Sequence, residues 1–138
     1  MSAKDICHEA IKNALLKDGW RIIADPYTIK FQEVQLFADL LADKTLEIEK
    51  NGQKIVVEVK SFISRSVMRE FETALGQYII YRIFLKKILP DSKIYLALSK
   101  NIYKSFFLKK AISLIIEETN LSLIVVDLNK EEIIKWIN

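Results

Sequence analysis

The sequence has few of the residues that break regular structure or form cross-links: three glycines, two prolines and one cysteine among 138 residues. With Cys7 alone, no disulfide and no thiolate metal cluster can form within the chain. No run rich in glycine, proline or serine marks a linker, repeat or low-complexity tail. Since 51% of the residues are hydrophobic, enough for one core, we predict a single domain over residues 1–138.

The chain also lacks a long apolar segment, so we expect neither a signal peptide nor a membrane-spanning helix. We therefore expect a soluble protein of the reducing cytoplasm, with no membrane contact. The formal net charge of +3 is compatible with a polyanionic partner but too small to predict one. His8, the single histidine, lies away from the apolar centre of its helix, so we expect a surface residue rather than a general base.

Hydrophobic periodicity predicts helices and strands in alternation. The predicted helices are Ala3 to Asp18, Met68 to Lys87 and Ser105 to Glu118. The predicted strands are Trp20 to Ala24, Gln35 to Leu41, Thr45 to Lys50, Lys54 to Lys60, KIYLALS, SLIVVD and, in preference to a short helix, EEIIKWIN. Asn51-Gly52 indicates an antiparallel hairpin, while the later strand–helix–strand order indicates parallel pairing. The fold class is thus α/β with a mixed sheet, and Gly76 is expected where the long helix packs closely.

Chemistry is suggested by the strand Ile55 to Lys60, because its alternation places Glu58 and Lys60 on the same face. A glutamate and a lysine two residues apart can also be an exposed ion pair that arises by chance. Asp39 adds weight, because it interrupts the apolar run LFADLL, where a buried carboxylate needs compensation. Either a divalent cation or a salt bridge to Lys60 would supply it.

A shared cation requires Asp39 and Glu58 to emerge on the same face of neighbouring strands, which we predict. They would then hold Mg²⁺ or Mn²⁺, while Lys60 orients a water or stabilises developing charge, the requirements of phosphodiester hydrolysis. Glu9 could be a further ligand, although a solvated helix glutamate is the simpler interpretation. Gln77 could contact a phosphate or the water, or be an ordinary surface residue.

Three lysines, Lys104, Lys109 and Lys110, flank an aromatic pair on the third helix and are candidates for DNA phosphate contacts. Phe106 and Phe107 themselves are expected in the core, since aromatic residues at helical spacing usually face inward. A partner interface is the other interpretation of this apolar surface.

Four segments, AKDICHEAIKNALLKDGW, KIVVEVKSF, ALGQYIIYR and IIKWIN, resemble the XisH family of DNA-element excision controlling factors. Asp39 followed by Glu58-x-Lys60 also resembles the PD-(D/E)xK nuclease core, with Ala38-Asp39 where that motif has proline and aspartate. In the motif, Glu9 matches an acidic position of the first helix and Gln77 a glutamine of the later one.

The resemblance implies a restriction-endonuclease-like core, in which a central mixed sheet is flanked by helices. It also implies a role in programmed DNA rearrangement and recombination, a Mg²⁺- or Mn²⁺-dependent nuclease site, and a companion protein of the XisI type. A homodimer is compatible with it, since a twofold pair of sites can address both DNA strands. The rival hypothesis is a non-catalytic regulatory or scaffold protein that keeps the fold and acts through the companion or through DNA binding.

Overall fold

A computed structural model describes residues 2–36 and 45–138, with only the backbone described for residues 34–36. The helices are α1 (Ala3–Lys17), α2 (Val67–Ile88), the short α3 (Lys100–Ile102) and α4 (Lys110–Thr119), and a π-helical turn, Tyr103–Phe107, lies between the last two. The strands are β1 (Arg21–Ala24), β2 (Ile29–Phe31), β3 (Val34–Leu36), β4 (Thr45–Lys50), β5 (Gln53–Val59), β6 (Lys93–Ser99), β7 (Leu123–Asp127) and β8 (Glu132–Ile137).

Six strands form a mixed sheet in the order β1-β4-β5-β6-β7-β8, which confirms the predicted α/β class. The outer pairs β1–β4, β4–β5 and β7–β8 are antiparallel, and the central pairs β5–β6 and β6–β7 are parallel. The hairpin turn at Asn51-Gly52 has positive φ at both residues, as two-residue hairpins require. Strands β2 and β3 form a separate antiparallel pair.

Helices cover both faces of the six-stranded sheet. On one face α1 packs through Ile11 and Leu15 onto Ile48, Ile55 and Val57. On the other face α2 and α4 pack over β5, β6 and β7, with Phe71, Tyr78 and Phe107 as large buried side chains. Each of α1 and α2 begins at a serine, Ser2 or Ser66, whose Oγ accepts a bond from the amide three residues on. Among residues 2–36 and 45–138, no helix is long and apolar enough to cross a membrane.

Most predicted elements are confirmed, and the third helix differs most. The predicted helix from Ser105 to Glu118 is interrupted at Leu108, and Lys109 has extended backbone before α4 begins. Ser113 Oγ donates to the Phe107 carbonyl at 3.0 Å across this break. Both phenylalanines, Phe106 and Phe107, are buried, as expected.

Three further predictions need correction or remain open. His8 is buried, at 6% exposure, because α1 buries a wider stripe than its apolar residues suggested. Gly76 is exposed, and a Cβ there would meet none of the residues 2–36 and 45–138 within 4 Å, so the expected close packing against the sheet is wrong. The strand predicted from Gln35 to Leu41 is observed at Gln35 and Leu36, and its remainder lies outside the described residues.

Candidate functional site

Glu58 and Lys60 lie at the carboxyl end of β5, on the face of the sheet that α2 covers. Val56 belongs to the core beneath α2, and Val57 belongs to the core beneath α1. Because alternate residues of a strand share a face, Glu58 and Lys60 lie on the α2 side with Val56. Both are buried, Glu58 at 2% and Lys60 at 9% exposure. The predicted shared face is therefore confirmed for these two residues, and an exposed edge-strand pair is wrong, because β5 is flanked by β4 and β6.

The ammonium of Lys60 is held between β5 and α2. Its Nζ lies 3.6 Å from Glu58 Oε1 and donates to Gln77 Oε1 at 2.6 Å. Its backbone amide donates to the Ala97 carbonyl of β6 at 3.0 Å, which fixes the strand end beneath the side chain. Three of the sequence-predicted site residues, Glu58, Lys60 and Gln77, thus form one contiguous polar cluster.

Tyr81 lies one helical turn after Gln77 and belongs to the same cluster, although the sequence had not marked it as functional. Burial raises its pKa to about 12, and the negative charge of Glu58 adds to that effect. The phenol therefore stays protonated at neutral pH and retains its hydrogen for donation. The signal that could have found it is the four-residue spacing from Gln77, which places both side chains on one side of α2.

Strand β4 contributes a second buried carboxylate on this face, also missed in the sequence. Thr45 lies opposite Glu58, and Glu47 lies opposite Val56, so Glu47 is a diagonal neighbour of Glu58. Both Thr45 and Glu47 are buried. The segment between β1 and β2 lies beside β4, because the Tyr27 amide donates to the Thr45 carbonyl at 2.7 Å. Burial raises the pKa of Tyr27, and the negative charge of Glu47 adds to that effect. In the sequence, the apolar and polar residues of TLEIEK alternate as in a strand with one face in water. This pattern predicts that Glu47 is exposed.

Glu9, another residue of the predicted site, does not join this cluster. Glu9 is exposed on α1, the helix on the opposite face, where its charge contributes to the raised pKa of Lys12 after the larger effect of Asp25. Asp39, with its predicted position beside Glu58, lies outside the described residues.

The candidate DNA-contacting lysines are exposed and lie near the loop that follows Lys60. Lys104 is in the π-helical turn, and Lys109 and Lys110 are at the start of α4, where Lys109 Nζ lies 5.5 Å from the centre of the Phe106 ring. Phe62, two residues after Lys60, packs edge-on against Phe107 with 5.5 Å between ring centres. The lysine-bearing segment is thereby joined to the site by direct side-chain packing.

The donor set can be compared with the needs of a divalent cation. Within the described ranges, no group of three or more histidine, cysteine, aspartate or glutamate side chains is placed to hold a metal ion. Mg²⁺ commonly uses only one or two protein carboxylates and completes its octahedron with water and phosphate. Glu58 supplies one buried carboxylate of that type among the described residues, and Asp39, the predicted second ligand, lies outside them.

The whole chain has close relatives of known structure. The crystal structure of an XisH family protein from Nostoc punctiforme PCC 73102 has a TM-score of 0.90 and 41% identity, with 97% of this chain and 100% of that chain covered. An fdxN element excision controlling factor protein from Anabaena variabilis has a TM-score of 0.89 and 45% identity, with 97% and 99% covered. None of the curated proteins matches the chain. The family model of the XisH protein matches residues 1–134, and the chain therefore belongs to the XisH family.

Proposed function

We propose that this protein acts in the excision of DNA elements and carries a metal-dependent phosphodiester-hydrolysing site on a restriction-endonuclease-like core. The role in excision is supported by the Anabaena variabilis relative, an element excision controlling factor 45% identical to this chain. The single observation that supports the site is the buried cluster in which Lys60 lies between Glu58 and Gln77. Burying the charge of a lysine costs free energy even when two partners hold it. Such an arrangement is more common at functional sites than on ordinary protein surfaces.

In this proposal Glu58 and Asp39 would hold Mg²⁺ or Mn²⁺, and Glu9, which is exposed on the opposite face of the sheet, takes no part. The ion would polarise a phosphoryl oxygen and acidify a bound water. Lys60 stabilises negative charge that develops on the phosphate, with its ammonium direction set by Gln77. Tyr81, protonated at neutral pH, offers a hydrogen bond to an anionic oxygen or to Glu58.

DNA is the proposed substrate, and Lys104, Lys109 and Lys110 are the proposed phosphate contacts. Their exposure leaves the ammonium groups accessible, and the Phe62–Phe107 contact joins their segment to the site. Each phosphate contact contributes about 0.9 to the slope of log affinity against log salt. Replacing each lysine with glutamine, one at a time, should reduce the magnitude of that slope. If neither the slope nor the affinity changes, the replaced lysine does not contact DNA phosphate.

The nuclease proposal is tested with plasmid and branched DNA in the presence of Mg²⁺ or Mn²⁺. We expect cleavage by the wild type and a loss of about 100-fold or more in Lys60→Ala and Asp39→Ala, because each removes charge stabilisation or a metal ligand. Lys54→Ala is the matched control, since Lys54 is an exposed lysine on the same strand. Equal cleavage by all four proteins would contradict the mechanism.

Metal binding has a readout besides activity. If the ion binds the native state alone, saturation at about 100 Kd raises the free energy of unfolding by about 2.7 kcal/mol. Asp39→Asn should lose most of this increment and be no less stable than the wild type without metal. The other outcome is that metal leaves the free energy of unfolding of the wild type unchanged and that Asp39→Asn is less stable than the wild type. That result would support a permanent salt bridge from Asp39 to Lys60.

A regulatory or scaffold role without catalysis is the second candidate. The observation in its favour is that Glu58 and Gln77 already provide partners for the Lys60 ammonium, so the cluster can be a buried ion pair that only stabilises the fold. Copurification with a companion protein of the XisI type, followed by the same cleavage assay on the complex, separates the two candidates. A stable complex without metal-dependent cleavage would support the regulatory role, and cleavage lost in Lys60→Ala would exclude it.

A further inference from the structure

The outer face of α2 combines an open glycine with exposed aliphatic side chains. Gly76 is exposed in the interior of this helix of 22 residues, and a Cβ there would have open space. Ile80 and Ile83, on the same face, are 44% and 53% exposed. Glycine is among the least favourable residues in an exposed helix interior. Among the described residues nothing compensates for it, because none of them lies within 4 Å of the position that a Cβ would take.

The spacing along this face is that of a helix that pairs with another helix. Glu72, Gly76, Ile80, Ile83 and Lys87 follow one another at intervals of three or four residues, which places them in one stripe along α2. A glycine in such a stripe allows a second helix to approach closely and to insert a large side chain opposite it. We define these five residues as the α2 stripe.

From this pattern we propose that the α2 stripe binds a second copy of this chain, as an antiparallel helix pair around a twofold axis between Ile79 and Ile80. An antiparallel register centred there sets Ile83 of each copy over Gly76 of the other, so that the exposed side chain fills the open position. The same register sets Glu72 opposite Lys87, and both of these charged side chains are exposed. The twofold axis repeats each of these contacts, so the Ile83–Gly76 contact and the Glu72–Lys87 pair each occur two times in the dimer.

The ends of the pair add a further match of charge, and this favours a second copy over an unrelated partner. Arg69, which shares the exposed face near the start of α2, falls opposite the turn Pro90-Asp91 that follows the helix in the other copy. The acidic Asp91 is exposed. Gln77, by contrast, points from α2 toward Lys60, so the pairing leaves the candidate site free. The inference is independent of the proposed nuclease activity.

The test is the dimer dissociation constant, measured by analytical ultracentrifugation over a concentration series. We expect a concentration-dependent dimer in the wild type. Glu72→Lys and Lys87→Glu should each raise the dissociation constant about tenfold, because each sets two like charges against each other twice per dimer. The double variant Glu72→Lys/Lys87→Glu should restore dimerisation, since it reverses both signs. Glu118→Lys, at an exposed glutamate on α4, is the matched control and should change nothing.

Two further variants keep the test independent of charge. Gly76→Leu should abolish the dimer while the monomer stays folded, because the added side chain has space in the monomer and blocks Ile83 of the second copy. Ile80→Cys should form an intermolecular disulfide with itself near the axis, whereas Leu114→Cys, exposed on α4, should not. A protein that stays monomeric at all concentrations, or a dimer unchanged in Gly76→Leu and in both charge variants, would overturn the proposal.

Discussion

Strands β4 and β5 present opposite chemistry on their two faces. Toward α1 they bury an apolar set: Leu46, Ile48, Ile55, Val57 and Val59. Toward α2 the alternating residues include buried polar and charged groups: Thr45, Glu47, Glu58 and Lys60. The same stretch of backbone thus carries a dry core on one face and a set of buried charges on the other. Buried charges are costly, and their concentration on one face of two adjacent strands is the reason that the proposed site is placed there.

The comparison predicts that a substitution in the apolar set toward α1 lowers the free energy of unfolding more than the loss of one charge in the cluster toward α2. Leu15 of α1 is fully buried in that core, and Leu15→Ala should lower the free energy of unfolding by about 3 kcal/mol, through lost burial and a residual cavity. Leu16, its neighbour on the same helix, is 46% exposed, and Leu16→Ala should cost less than about 0.5 kcal/mol. Denaturant unfolding of both variants measures the difference. Equal losses would mean that α1 is not anchored through Leu15.

A smaller effect is expected from breaking the charged cluster on the α2 face. Lys60→Met keeps most of the side-chain volume but removes the cation 3.6 Å from Glu58, and should cost about 2 kcal/mol. Glu58→Met/Lys60→Met should recover most of that loss, because the uncompensated charge is gone. Lys12→Met is the control from the α1 face. The Lys12–Asp25 pair is shorter, at 2.8 Å, but Lys12 is partly exposed, so its loss should cost less than about 1 kcal/mol.

The same free-energy measurement decides whether burial or distance governs these ion pairs. If Lys12→Met proves more destabilising than Lys60→Met, the shorter distance outweighs the deeper burial, and the two faces are less different than the contacts suggest. A double variant no more stable than Lys60→Met would show that Glu58 contributes through partners other than Lys60.

The smallest expected effect is on the titration of Tyr81. Its raised pKa means that the folded state holds the phenolic proton more tightly than the unfolded state. The contribution of Tyr81 to stability is therefore complete below about pH 10 and is lost as the pH rises through about 12. Glu58→Gln should lower the pKa of Tyr81 while burial keeps it above the ordinary value of about 10.

This titration is followed by tyrosinate absorbance, with Tyr81→Phe used to subtract the other tyrosines. Glu132→Gln, at an exposed glutamate on β8, is the control and should leave the pKa of Tyr81 unchanged. A wild-type Tyr81 that titrates near pH 10 would show that water reaches the α2 face freely, and the contrast between the two faces would be lost.

Local rules predicted most of the fold, because they act within one element at a time. The alternation of Ile55 to Lys60 placed Glu58 and Lys60 together on one face, which the strand confirms. The Asn51-Gly52 hairpin and the serine at the start of α1 were likewise predictable from backbone preferences and nearby hydrogen bonds. The family resemblance of the chain to XisH proteins was also present in the sequence and is confirmed.

Other features depended on how separate elements meet, which periodicity does not specify. The sequence placed Gln77 and Tyr81 on one side of α2, but only the packing of that helix on β5 brings them to Lys60 and Glu58. The burial of Glu47 likewise follows from what covers β4, since an alternating strand has the same pattern whether its polar face meets water or a neighbouring segment. The sequence by itself thus determined the direction of each side chain relative to its own strand or helix. The tertiary structure decided which side chains share a site, because contacts between elements depend on the packing of the whole core.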